Sequence, residues 1–565
     1  MKRLVVLAAG LNGSPRKWNT LLEQLGQEDE LAGSDWLVFN HYGFWNWRAF
    51  KYFFTHSVEQ LALELKARIE QQWVAAIASG EPYEEVICIG HSVGGLMIRQ
   101  AYLVAAGAYP RAAKSEIRWS ETVSRFVLIA SINRGFEIKN PLVSAITNLS
   151  NVTGCLPVIR NISRGSDFVT NLRISWIRYF SNMATEEPAM IQVLGTYDGI
   201  VKREDSIDLQ AFPNGIQIDV PGANHDSIYR PSGKSPPALE EWMLRYRLLK
   251  WAILQCEPKR TVAVPDELHA SVALGPLKLF RVKRRSEAAV VFIVHGIRDS
   301  NSGWARQLED NIKMQTDGKF SVVRSTYGYF SAFNFFLPWL RRRNIRWFQD
   351  QYSYHFALNP TADFHFIGHS NGTYLLGESL KRVSSMQFRR VYLAGSVLPC
   401  EYPWQERFDL NQVDTLRNDR SCWDWPVGIL CSGLRGLRMK DIGTGGFDGF
   451  QFDDDRTEEV YYYNGSHGEP LAKENQTSVL SFILEGDRTH PGHLLELSQT
   501  SARFRLISRM APYIAPWLLV AVIGVAFALI CLILWGAGWS SVLFWIKLIG
   551  VLLILYTLYA LAKTG

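Results

Sequence analysis

"VICIGHSVGG" (Val86–Gly95) reads as an apolar strand, then Gly-His-Ser-x-Gly, then the start of a helix. "FHFIGHSNGT" (Phe364–Thr373) has the same order. Glycines on both sides of the serine keep a sharp strand-to-helix corner free of side-chain clashes, and the hydroxyl stands at its tip. One G-x-S-x-G is weak evidence, since a chain of this length shows it by chance roughly 0.2 times. Two copies, each after an apolar run and before a helical pattern, are a repeated design.

The surroundings repeat as well. "RLVVLAAGLNGSPRKW" places Gly10 eight positions before Trp18, and "VVFIVHGIRDSNSGW" places Gly296 eight before Trp304. "HYGFWNWRAFKYFF" and "TYGYFSAFNFFLPW" follow. After each corner comes another apolar strand, "RFVLIASINRG" and "RRVYLAGSVLP". Strands alternating with helices at this spacing predict a mostly parallel sheet covered by helices on both faces. The chain thus reads as two copies of one α/β unit. The expected boundaries are 1–255 and 288–505, with a linker over 256–287.

The bulk numbers agree with several globular units. The 565 residues are 47% hydrophobic and 20% charged, with a net charge of +6. There is no Lys/Arg block with interleaved aromatics to grip nucleic acid, and no zinc-spaced Cys/His set. The seven cysteines (Cys88, Cys155, Cys256, Cys400, Cys422, Cys431 and Cys531) are odd in number and scattered. They read as reduced thiols in a cytosolic setting, not a disulfide framework.

Each half resembles an α/β-hydrolase of the serine esterase and lipase kind. The first half, through "GHSVGGLMIRQAYL" and "INRG", is similar to lipases and to hydrolases of the GPI inositol-deacylase kind. The resemblance implies a nucleophilic serine after a central strand and the chain order Ser, acid, His. A serine hydroxyl needs a histidine to take its proton, and the histidine needs a carboxylate to fix its tautomer. In the first half His225 is the single histidine between Ser92 and the linker. Asp198 follows an apolar strand and starts a D-x-x-V pattern. The expected first triad is Ser92, Asp198 and His225, with the N–H groups of Val93 and Leu11 as oxyanion donors. The histidine usual before the oxyanion-loop glycine is replaced here by Ala9, which leaves the backbone donor intact. In the second half the expected triad is Ser370, Asp424 and His467, with donors from Asn371 and Ile297. Asp414 and Asp419 are rival acids, and His490 and His493 rival bases. No metal or cofactor is implied.

Residues 136–190 are longer than a simple crossover and read as a lid over Ser92 or as an ordinary helix pair. "FNFFLPWLRRRNIRWF" (Phe333–Phe348) suits either a lipid surface or a buried helix with a basic rim. "DIGTGGFDGF" lacks the Lys-Ser/Thr ending of a phosphate loop and reads as a loop lining the second site.

The C-terminus carries two apolar runs, Tyr513–Trp535 and Ser541–Ala562, each long enough to span a bilayer. Arg503, Arg505 and Arg509 before them and Lys563 after them place both ends, and all that precedes, in the cytoplasm. The opening "MKRLVVLAAG" could pass for a short signal peptide, but it also supplies the first strand and the oxyanion loop. The expectation is a membrane-anchored serine hydrolase acting on carboxylic esters, lipids first among them. The alternative is a membrane scaffold or sensor whose hydrolase folds bind without turnover.

Overall fold

Most of the strands form on largely apolar runs, as strands covered on both faces require. In the computed structural model the residues described are 2–11, 15–40, 55–136, 157–182, 188–201, 215–255, 278–280, 287–296, 303–325, 335, 338–452, 454–458, 462–488, 493–496 and 499–535. They fall into two units, Met1–Ser286 with Gln349–Pro360, and Glu287–Phe348 with Thr361–Gly565.

In the first unit, six strands run parallel: β1 (Arg3–Ala8), β2 (Asp35–Phe39), β3 (Glu85–His91), β4 (Val123–Ile129), β5 (Ala189–Gly195) and β6 (Gly215–Val220). Their order is β2-β1-β3-β4-β5-β6, and β7 (Lys278–Phe280) adds antiparallel to β6. The segment expected to be a linker therefore contributes an edge strand to this sheet. Its remainder, 256–277 and 281–286, lies outside the described residues.

The second unit repeats the plan. Its strands are β8 (Ala289–Val294), β9 (Phe320–Arg324), β10 (Asp363–His369), β11 (Phe388–Ala394), β12 (Val413–Ser421), β13 (Thr457–Glu458) and β14 (Tyr462–Tyr463). The order is β9-β8-β10-β11-β12-β13, all parallel, with β14 also on β12. In both sheets the order reverses beside the strand that leads into the Gly-His-Ser corner. Crevices at such a switch point, outside the carboxyl ends of the strands, are where open α/β sheets take ligands.

Local sequence explains the elements. The Val58–Ala78 helix starts at a capping box: Ser57 Oγ accepts from Gln60 N–H at 3.2 Å, and Ser57 N–H donates to Gln60 Oε1 at 2.8 Å. Val5, Leu7, Ile87, Ile89, Val127 and Ile129 are buried in the core of the first unit, and Val291, Ile293, Ile367 and Ala394 in that of the second. Each large aliphatic among them contributes about 1.5–3 kcal/mol.

The described part of the expected lid is a packed crossover. The Asp167–Ser181 helix buries Phe168, Leu172, Trp176 and Phe180, and Trp176 lies against Tyr102 of the helix after Ser92 and Phe126 of β4. Residues 137–156 lie outside the described residues.

The first unit also holds a buried charge cluster. Arg134 of "INRG" donates from Nε and Nη2 to the two Asp350 oxygens at 2.9 and 2.8 Å. Arg173 and Arg164 each stand 3.7 Å from the same carboxylate.

In the aromatic and basic run, the surface reading fails at the residues described. Arg341 is fully buried, donating to Phe335 O and Asp441 at 2.7 and 2.8 Å, and Phe348 is buried against Phe292, Phe366 and Phe388. The earlier copy, 42–54, lies outside the described residues.

Among the described residues no helix is long and apolar enough to cross a membrane. Ser541–Ala562 lies outside them. The first apolar run belongs to a helix, Ala502–Trp535, whose start packs on the second unit. Ser508 Oγ donates to Gly428 O, and Ser432 Oγ donates to Ser508 O at 2.8 Å. Gly436 lies against Pro512, where a Cβ would stand 2.0 Å from the Pro512 carbonyl oxygen. The second unit thus extends past the expected end at 505, to about Ala515.

Candidate active site

Both corners have the same backbone. Ser92 has φ 53° and ψ −121°, and Ser370 has φ 53° and ψ −120°. A non-glycine residue holds such a conformation only where its surroundings over-determine it, and these conformations cluster at functional sites. What fixes them is close packing of the helix start on the sheet. A Cβ at Gly94 would stand 2.0 Å from Ala8 O, and one at Gly372 would stand 2.3 Å from Val294 O. The serine N–H groups bond to the strand ends next door, Ser92 to Ile129 O and Ser370 to Ala394 O, both at 3.0 Å.

The acids and histidines meet in pairs. His225 Nδ1 lies 2.9 Å from Asp198 Oδ2, and His467 Nδ1 lies 2.8 Å from Asp424 Oδ2. In each pair the aspartate side chain is fully buried and the histidine is 18% exposed, so one edge of the ring is open to solvent. With Nδ1–H donating to the carboxylate, Nε2 is the nitrogen that can take a proton from a serine. The D-x-x-V pattern has a physical basis: Asp198 Oδ1 accepts from Ile200 and Val201 N–H at 2.8 and 3.0 Å, and Asp424 Oδ1 from Val427 N–H at 2.9 Å. Burial alone would raise the Asp198 carboxyl. The hydrogen bonds from His225, Val201 and Ile200 outweigh it and hold the group below the usual carboxylate range.

The rivals go elsewhere. Asp419 is buried in a network with Arg417, Tyr392 and Tyr463. Asp414 sits near the start of β12, His493 packs on Tyr463, and His490 lies outside the described residues. The glycine-rich loop sits beside the second pair: Gly446 packs on Gly395 and Ser396, and a Cβ at Gly395 would stand 2.6 Å from His467 Cε1.

Val93 and Asn371 are the first residues of their helices, Val93–Ala105 and Asn371–Arg382, so their N–H groups lack the carbonyl four residues back that a mid-helix N–H uses. Gly10, just before Leu11, faces the serine: a Cβ there would stand 2.7 Å from Ser92 Cβ. Gly296 stands in the same relation to Ser370. His295 is buried beside it, and Ile297 lies outside the described residues.

Two pairs of residues gained no role from the sequence. The corner histidines, His91 and His369, place Nε2 at 3.1 and 3.3 Å from the carbonyl oxygens of His225 and His467. Their rings lie 4.9 and 4.6 Å from those of their partners. They tie the loop carrying each histidine to the corner carrying each serine. Trp18 and Trp304 meet His91 and His369 edge-on at 5.5 and 6.0 Å, which accounts for the repeated Gly-to-Trp spacing. The recurrence of His before both serines was the available signal.

Burial, reinforced by His225 nearby, pushes His91 down from 6.5 to about 3. The unfolded chain takes up this proton below about pH 6.5 and the folded chain does not, so stability falls as pH falls from there to about 3, by up to about 1.4 kcal/mol per unit. Thermal melts from pH 7 to pH 4 should show this slope. His91→Gln, which keeps a donor for the His225 carbonyl, should flatten it. An equal slope in the variant would contradict the assignment.

No known family's sequence pattern matches the chain, and no curated protein does. Solved structures give partial similarities. A phospholipase from Legionella pneumophila, in complex with thio-NAD, is 16% identical over 36% of this chain, with a TM-score of 0.25; the match spans 39% of that protein's length. A thermophilic esterase from Thermogutta terrifontis, with propionate bound, is 15% identical over 45% of this chain and 85% of its own, with a TM-score of 0.30. A putative aryl esterase from Burkholderia cenocepacia is 15% identical over 44% of this chain and 90% of its own, with a TM-score of 0.23.

Proposed function

We propose that the chain is a membrane-anchored tandem serine hydrolase that cleaves carboxylic esters, with acyl lipids as the substrate class. The observation that carries this reading is the repeated frame: a strained serine corner at each sheet's switch point, with a His–Asp pair tied to it by the corner histidine. Ser92 Oγ attacks the ester carbonyl carbon while His225 takes the hydroxyl proton. Asp198 holds the ring and stabilises its positive charge. The Val93 and Leu11 N–H groups receive the oxyanion. The tetrahedral intermediate then collapses: the C–O bond to the alcohol breaks, and His225 hands the proton to that oxygen. Water attacks the acyl-enzyme by the same route in reverse, releasing the acid and restoring Ser92. Ser370, His467 and Asp424 perform the same steps in the second unit, with the Asn371 N–H and the Ile297 N–H as donors.

The anchor is the pair of apolar runs at 513–535 and 541–562, with the arginines at 503, 505 and 509 keeping both hydrolase units in the cytoplasm. The helix packing sets where the anchor may be severed. A chain ending near Thr500 loses contacts made by Phe504, Ser508 and Pro512, so it should melt lower than the full chain. Turnover of a short chromogenic ester by the detergent-solubilised full chain tests the reading. Activity lost only in the Ser92→Ala, Ser370→Ala double variant supports it. A correctly folded wild-type chain without turnover favours the scaffold alternative.

A further inference from the structure

The loop that carries Asp424 also carries two exposed tryptophans. Asp424 is fully buried, yet its neighbours Trp423 and Trp425 are 48% and 60% exposed. Exposed tryptophans in a turn so tightly fixed are unexpected in water and suit a lipid headgroup zone, where an apolar ring with one polar N–H is at home.

The helix Ala502–Trp535 packs directly on this loop. Phe504 meets Trp423 edge-on at 5.8 Å and Phe447 at 5.3 Å. Phe504, Ser508, Pro512 and Ala515 form the face turned to the second unit, where they meet Trp423, Gly428, Ser432, Gly433 and Gly436. Apart from Arg503, which shares its bearing, the opposite face is apolar, unlike that of a solvent-facing helix. Leu506, Ile507, Met510, Tyr513, Ile514 and Trp517 are all exposed. At 100° per residue they share one stripe roughly 120° wide. Phe504, which meets Trp423, lies two residues before the first of them, Leu506. From Leu518 onward exposure is no longer confined to the stripe: Leu518, Val520, Val522 and Val525 are 60–64% exposed. Arg503 and Arg509, at the foot of the helix, are exposed where anionic headgroups would lie.

We infer that the second centre works at the bilayer surface: the Trp423–Trp425 loop and the exposed stripe of the Ala502–Trp535 helix form one lipid-docking face, and Ser370 draws acyl-ester lipid from the membrane in which that helix ends. This rests on the proposed function, both for the anchor and for the chemistry of Ser370. The occupant is a bilayer, because the stripe continues without a break into an apolar run and a second one follows in the sequence. The corresponding turn of the first unit also exposes Tyr197 and Ile200. What distinguishes the second is the anchor helix seated on its acid-bearing loop. That contact fixes the distance between membrane and site, so a lipid ester reaches the serine without leaving the surface for bulk water. The hydrolysis adds one water across the ester and needs no other reactant.

The test uses the full chain in phosphatidylcholine–phosphatidylserine vesicles. A fluorescent label is placed by Trp425→Cys, by Leu518→Cys and, as a control, by Met314→Cys; all three sites are exposed, and the label on the unsubstituted chain is subtracted. Lipids spin-labelled near the headgroup should quench most of the emission at 425, lipids spin-labelled in the acyl chain most of that at 518, and neither that at 314. Fatty-acid release from the vesicle lipid should be lost in Ser370→Ala, with its thermal melt unchanged. If 425 behaves like 314 while 518 is quenched, or if release from vesicles persists in Ser370→Ala, the docking inference is overturned and the anchor stands. If 518 also escapes the lipid quencher, the anchor reading falls with it.

Discussion

Ser92→Ala is expected to silence one ester-cleaving centre and leave the other running, and Ser370→Ala to do the reverse. Loss of the attacking hydroxyl leaves only substrate binding and the oxyanion donors, so kcat at the affected centre should drop by about 10⁴- to 10⁶-fold. KM should move little, because the removed interaction is made in the transition state. Independence follows from the geometry. Each serine sits at the switch point of its own sheet, and each histidine bonds to an aspartate of the same unit. Activity on a short ester should be the sum of the two single variants and should vanish in the double variant. The wild-type folding of each variant can be checked by thermal melts, since alanine fits where serine stood. A single variant that silenced both centres would mean one shared site and would contradict this account.

Asp350→Ala is expected to give the largest loss of stability in the first unit. The Asp350 carboxylate is nearly buried, takes two hydrogen bonds from Arg134 and faces Arg164 and Arg173. Removing it leaves buried guanidinium charge uncompensated, a change that costs about 3–5 kcal/mol. Asp350→Asn keeps the shape and one acceptor but removes the charge, so it should fall between. The measurement is the midpoint of the thermal transition belonging to the first unit, followed by fluorophosphonate labelling at Ser92 as the unit unfolds. An unchanged midpoint in Asp350→Ala would show that the cluster carries no net stability.

The two sheets and both serine corners were legible because their signals are local. A continuous apolar run, two glycines and a serine specify a buried strand and a sharp turn without reference to distant residues. The D-x-x-V pattern was legible for the same reason: the aspartate accepts from N–H groups two or three residues on. The sequence favoured Asp424 and His467 over Asp419 and His493, but that the two side chains pair needed the fold, because it depends on which loops share a sheet end. The roles of His91 and His369 were hidden too, since their partners are backbone carbonyls, which leave no mark in a sequence. Arg341 decides between the two readings of its run: arginines suit a lipid surface or the rim of a buried helix, and Asp441 and the Phe335 carbonyl satisfy this one in the interior. The edge strand at Lys278–Phe280 is too short to show a period and is formed by pairing with β6.

Covalent labelling by a serine-directed fluorophosphonate, read by intact-protein mass and peptide mapping, tests the central claim most directly. The reagent reports an activated serine and needs no knowledge of the substrate. Two adducts per folded chain are predicted, one at Ser92 and one at Ser370, with one adduct in each single Ser→Ala variant and none in the double variant. A folded wild-type chain that takes up no label at either serine would contradict the account.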